Sequence, residues 1–90
     1  MEQVVVTVTG MDKIGIMAAV STVLAERQVN ILDVSQTILR GFFSMVMVVD
    51  ISMANVDLRT LQTLLADKGR EIGMQINAQH EDVFRFMHRV

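Results

Sequence analysis

Thr9-Gly10-Met11-Asp12-Lys13-Ile14-Gly15-Ile16 is the stretch whose residue types and spacing best suit chemistry. An alternating apolar segment precedes it and a helical pattern follows it. A strand that feeds a helix through a tight, Gly-containing turn aims several backbone N–H groups at one point. The first N–H groups of a helix have no partner within it, and the positive end of the helix dipole adds to them. Such a corner receives a carboxylate or a phosphate. Gly in a strand-to-helix turn also answers plain backbone needs, so local chemistry alone leaves both the ligand-binding and the structural reading open.

Other reactive groups are sparse. His80 and His88 bracket Glu81 and Asp82 near the end of the sequence. A cluster of this kind can hold a divalent cation. These groups are spread along a strand-to-helix tail and read better as ordinary polar residues, so no metal ligand is assigned. Ser21, Ser35, Ser44 and Ser52 have no evident His partner. No catalytic residue is assigned, an enzyme is not expected, and neither is a cofactor. A phosphate-holding enzyme of similar size would want an Arg in the first loop, which offers only Lys13. The sequence has no Cys, which excludes disulfides, thiolate catalysis and Cys-ligated metal sites. Its eight Met read as adaptable core filler.

Composition narrows the class further. The 90 residues suit one domain, spanning 1–90 with a tail from 79 to 90. A chain of this length buries only about two-thirds of its unfolded surface, yet 51% of its residues are hydrophobic. The surplus points to an interface. A net charge of −2 argues against a phosphate-tracking nucleic-acid binder. Four Phe, with no Tyr or Trp, argue against base stacking on a sheet. No window approaches about 18 uninterrupted apolar residues, so no membrane span is expected. No charged segment leads into a long apolar run, so no signal peptide is expected either. Together with the absent Cys, this suggests a cytoplasmic location.

The elements that must position the Gly10–Ile16 corner follow from periodicity. Val4, Val6 and Val8 alternate with Val5, Thr7 and Thr9, as in a strand. Gly10 to Lys13 is then the turn, with Asp12 as a candidate N-cap. A helix is expected over 14–28, burying Ile16, Val20, Val23 and Leu24. On that reading Gly15 sits in the first helical turn, at a cost of about 1 kcal/mol against Ala, which close approach of a ligand or a second backbone would offset. A second strand covers 29–39, its alternation broken by a bulge or by cover on both faces. Arg40-Gly41 turns it into a third strand over 42–52. That strand is apolar on both sides and needs cover on both, one from helices of this chain and one from a partner chain. Asn55 or Asp57 caps a second helix over 58–72, carrying Leu58, Leu61, Leu65 and Ile72, and Gly73 ends it. Gly69 only weakens its last turn. Met74, Ile76 and Ala78 mark a fourth strand. Val83, Phe84, Met87 and Val90 mark a short amphipathic tail helix that docks on the body or on a partner.

The order β-α-β-β-α-β is the α+β, ferredoxin-like split βαβ arrangement: a four-stranded antiparallel sheet with two helices on one face, here with an added C-terminal helix. The fold alone does not decide function. An isologous dimer is the commonest way to cover its second face.

Asp12-Lys13-Ile14-Gly15-Ile16 after a Val-rich strand, with Val29-Asn30-Ile31-Leu32-Asp33 after the first helix, resembles an ACT domain. Asp33-Val34-Ser35-Gln36-Thr37, the Gly41-Phe42-Phe43-Ser44-Met45 hairpin and the closing His80-Glu81-Asp82-Val83-Phe84 with Met87-His88-Arg89 resemble a narrower group, the stand-alone single-ACT proteins of bacteria and archaea. They are also similar to the first domain of glycine-cleavage-system repressors. The resemblance implies a non-enzymatic regulatory module and a homo-oligomer, most simply a dimer. A small ligand, typically an amino acid, would bind in the interface, and a regulatory protein partner would receive the signal. Carried onto this sequence, the ligand-binding positions are Gly10, Asp12, Lys13, Gly15 and Ile16 in the loop, with Asn30 and Ile31 at the second strand. Asn30 carries both a donor and an acceptor for an α-ammonium or α-carboxylate group; its alternative role is a turn residue. The other function class is a constitutive protein–protein interaction module whose corner is only a turn.

Overall fold

The computed structural model describes residues 1–87. Its elements run β1 (Gln3–Met11), α1 (Ile16–Glu26), β2 (Asn30–Leu39), β3 (Phe42–Asp50), α2 (Leu58–Ile72), β4 (Gln75–His80) and α3 (Glu81–Met87). The strands form one antiparallel sheet in the order β2-β3-β1-β4. The fold is the ferredoxin-like βαββαβ arrangement with a short C-terminal helix.

Alternation decides which face of each strand is buried. Val4, Val6 and Val8 of β1, Phe43, Met45, Met47 and Val49 of β3, and Ile76 and Ala78 of β4 point into the core. There they meet Ile16, Val20, Val23 and Leu24 of α1 and Leu61 and Leu65 of α2. Each fully buried Val or Leu contributes about 1.5–3 kcal/mol relative to leaving it exposed. The alternation read from the sequence groups these same residues on one face of each strand; on β3, where both faces read as apolar, the structure puts the Phe43–Val49 side in the core.

The irregularities of β2 resolve into a bulge. Ile31 pairs with Val49 and Asp33 with Val48, so Leu32 is the extra residue. The bulge moves Val34 and Ile38 onto the helix side of the sheet, where both remain exposed. At the β2–β3 turn, Arg40 and Gly41 both adopt positive φ, 52° and 81°. That is the two-residue hairpin geometry whose twist matches the flanking strands.

Several boundaries differ from expectation. The helix α1 starts at Ile16 rather than at 14 and ends at Glu26. The Gln28 N–H bonds to the Ala25 carbonyl and the Val29 N–H to the Leu24 carbonyl (2.9 Å), with Gln28 at φ 59°. This left-handed closure ends the helix and buries Val29. Asp57, not Asn55, caps α2, its carboxylate accepting from the Thr60 N–H at 2.9 Å. Asn55 instead closes the end of α1, donating to the Arg27 carbonyl through its backbone and to the Glu26 carbonyl through its side chain. The strand β3 ends at Asp50, because Asp50 turns the chain by accepting from the Ser52 N–H and hydroxyl. The tail helix lies against β1 and β4. His88 and Val90 lie outside the described residues.

Candidate functional site

The loop between β1 and α1 is held from two sides. The Asp12 N–H donates to the Gly41 carbonyl at 2.7 Å, tying the loop to the β2–β3 hairpin. On the other side it rests on the junction of α2 and β4. A Cβ on Gly10 would stand 2.8 Å from the Met74 sulfur and 3.2 Å from the Gly73 carbonyl oxygen. The Lys13 ammonium approaches Gly73, where α2 ends, and so lies at the negative end of that helix dipole. Gly10 and Lys13 therefore both have a structural role in seating the loop.

Two expectations about this loop need correction. Asp12 is not the N-cap of α1. The N-cap is Gly15, in the left-handed region at φ 92°, with no side-chain cap bond. Gly15 thus lies just before the helix, and its positive φ explains the glycine without any close neighbour. A Cβ there would meet nothing within 4 Å. No side chain caps α1, and its first turn carries no acidic residue. Ile16 contributes only its backbone here, since its side chain is buried in the core.

The structure does not bring all seven predicted positions together within one chain. Gly10, Asp12, Lys13, Gly15 and Ile16 share one corner. Asn30 and Ile31 lie at the other end of the sheet, because Asn30 pairs with Asp50 while Leu39 pairs with Phe42, the neighbour of Met11. Nine residues of β1 separate the two ends, about 26 Å at strand spacing. Asn30 and Ile31 instead line a shallow open cleft with Ser21, Thr22, Ala25 and Val29. The Ser21 hydroxyl donates back to the Met17 carbonyl at 2.7 Å. Among the described residues no three His, Asp or Glu side chains converge on one point. His80 pairs loosely with Asp82 at 3.7 Å.

The two edges of the sheet differ. The β4 edge is closed in part by Gln62 of α2, whose amide donates to the Ala78 carbonyl at 2.7 Å. Along the β2 edge, Leu32, Val34 and Ile38 are exposed, and Asp33 is the only charged residue of the strand.

The ACT domain family model matches residues 2–79. The chain belongs to the ACT domain family. A UPF0237 protein of Methanocaldococcus jannaschii is 53% identical over 90 residues, covering all of both chains. Among solved structures, an ACT domain protein from Streptococcus pneumoniae superposes with a TM-score of 0.81 at 37% identity, covering 92% of this chain and 93% of that one. A putative glycine cleavage system transcriptional repressor superposes with a TM-score of 0.77 at 22% identity, over 88% of this chain and 45% of its own, which shows a shared fold. ACT domains are commonly regulatory, ligand-binding units. No helix among the described residues is long and apolar enough to cross a membrane.

Proposed function

We propose that this ACT domain is a non-catalytic sensor of an amino acid or a related metabolite, and that its site is completed only between two copies. The observation that carries this reading is the separation of the loop from Asn30 along an unguarded edge strand. In an isologous dimer joined through β2, the two edge strands run antiparallel about the two-fold axis. The start of one β2 then lies beside the end of the other. Asn30 and Ile31 of the partner arrive at the β2–β3 hairpin, to which the Asp12 N–H ties the loop. The guarded β4 edge and the apolar β2 edge support pairing at β2 rather than at β4.

The chemistry of the two halves suits an amino acid. The uncapped N–H groups at the start of α1 favour a carboxylate. The Asn30 amide has a carbonyl for an ammonium group and N–H donors for a second carboxylate oxygen. Gly15, with open space beside it, lets the ligand approach the backbone. Binding across the interface favours the arrangement that completes the site, and that difference in affinity is the signal passed to a protein partner in the cytoplasm.

Thermal unfolding of the chain against the twenty amino acids and common metabolites tests the proposal. A ligand at about 100 times its Kd stabilises the fold by about 2.7 kcal/mol. A selective rise in Tm that Asn30→Ala abolishes is expected. No shift with any compound, from a folded oligomer, would replace the sensor with a constitutive interaction module.

A further inference from the structure

The cleft that Asn30 and Ile31 line has a chemistry of its own. It lies between the second half of α1 and the start of β2, the outermost strand of the sheet. Its volume is about 420 Å³, within the range of small-ligand sites. Ser21, Thr22 and Ala25 share one flank of the helix, at the spacing that makes neighbours of successive turns. Ile31 approaches from the sheet, because it pairs with the core residue Val49 and so points to the helix side. Val29 closes the end, buried by the turn that ends α1.

None of these side chains ionises. Glu26 and Arg27 directly follow Ala25, yet neither lines the cleft. The Ser21 hydroxyl already donates to the Met17 carbonyl at 2.7 Å. Ala25, Val29 and Ile31 make the rest of the wall apolar. A charged group placed here would give up water without gaining an opposite charge, which is costly. An aliphatic group gains by leaving water.

We infer that this cleft takes the side chain of the ligand and selects an amino acid whose side chain is uncharged and aliphatic, with Ala25 setting its length. The assignment rests on the sensor reading above, in which the site closes between two copies. The helix α1 carries the chain from the loop to the start of β2. In a dimer joined at β2, the start of the partner's α1 therefore lies beside this cleft. With the carboxylate on that helix start and the ammonium on Asn30, the ligand side chain is left to fill the space between Thr22, Ala25 and Ile31.

Titration calorimetry of the full chain with single amino acids tests this. Leucine, isoleucine and valine are expected to bind at least tenfold more tightly than aspartate, glutamate, lysine and arginine. Ala25→Leu puts a larger side chain into the cleft from an exposed helix position, with a good helix former. It is expected to weaken leucine at least tenfold while alanine changes less than threefold. Ala25→Arg is expected to weaken leucine too, and to raise the affinity for glutamate at least tenfold. Circular dichroism unchanged from wild type shows that both variants are folded. A charged amino acid bound more tightly than leucine, or an Ala25→Leu chain that treats alanine and leucine alike, would overturn the inference and leave the sensor standing. Absence of binding by every amino acid would overturn it as well. The sensor itself falls only if the wider metabolite panel also leaves Tm unchanged.

Discussion

Gly69 and Met74 hold the end of α2 against the start of β4. The Met74 N–H donates to the Gly69 carbonyl at 2.8 Å, while a Cβ on residue 69 would stand 2.5 Å from the Met74 carbonyl oxygen. The obstructing atom is backbone, and it belongs to the turn that leads into an inner-sheet pairing with β1. Gly69→Ala therefore forces the helix and strand apart instead of rotating a side chain away. A loss of about 2 kcal/mol or more is expected, in the range of overpacked core sites. Urea unfolding checks it: a lowered midpoint with an unchanged slope is the expected result. A midpoint equal to wild type would mean that the junction relaxes without cost.

Gly15 makes the opposite case. The space beside it is empty, so the only obstacle to a side chain is its φ of 92°. Gly15→Ala is expected to cost about 1 kcal/mol, or roughly 4–8 °C in Tm for a domain of this size. Gly15→Asn should recover part of that loss, because Asn tolerates the left-handed region better than Ala. Equal Tm values for the Ala and Asn variants would argue that the loop simply shifts to negative φ.

Asp57 and Asp12 both precede helices, but only one is a cap. Hydrogen bonding from Thr60 holds the Asp57 carboxyl below its ordinary pKa. A carboxyl depressed in the folded state stabilises above its unfolded pKa, and that contribution is lost as pH falls through the folded value. Asp57→Asn keeps a capping oxygen without the charge. The gap in Tm between wild type and Asp57→Asn should be constant at neutral pH and shrink below roughly pH 4. Asp57→Ala should lower Tm by about 5 °C at neutral pH. Asp12→Ala, which removes no cap bond, should stay near wild type in the absence of ligand.

Most of the fold was legible because burial follows period. Val4, Val6 and Val8 alternate cleanly, and Leu61 and Leu65 recur at helical spacing, so core faces and element order could be read directly. The bounds of α2, including the stop at Gly73, were also readable, since composition and cap chemistry agree there. What remained hidden depended on tertiary context. Asp12 is a good cap by type, but the bond from its N–H to Gly41 keeps the loop extended past it and moves the helix start to Ile16. Gly69 looked like a weak helix residue because the Met74 carbonyl that needs the space lies beyond the helix, in the turn into β4. The separation of Asn30 from the loop follows from the order of elements, since α1 carries the chain back along the sheet and β2 starts at the end opposite the loop. The likeness of the two motifs to one family site gave no sign that they lie apart within one chain.

That separation gives the most discriminating test of the sensor. If each ligand site combines the loop of one chain with Asn30 of its partner, two different defects can be sorted by mixing. Gly15→Asp puts a carboxylate beside the uncapped N–H groups and should repel an anionic ligand. Asn30→Ala removes the other half of the site. Each variant alone should lose the ligand-induced rise in Tm. In a mixed dimer, one site collects both defects and the other collects neither, because the intact loop of the Asn30→Ala chain faces the intact Asn30 of the Gly15→Asp chain. Refolding the two variants together in equal amounts yields about half mixed dimers, so titration calorimetry should recover about a quarter of the wild-type sites at wild-type affinity. Zero recovery, with exchange of chains confirmed by mass spectrometry of the assembly, would place all the ligand contacts within one chain. It would also leave Asn30 as a residue of the turn into β2.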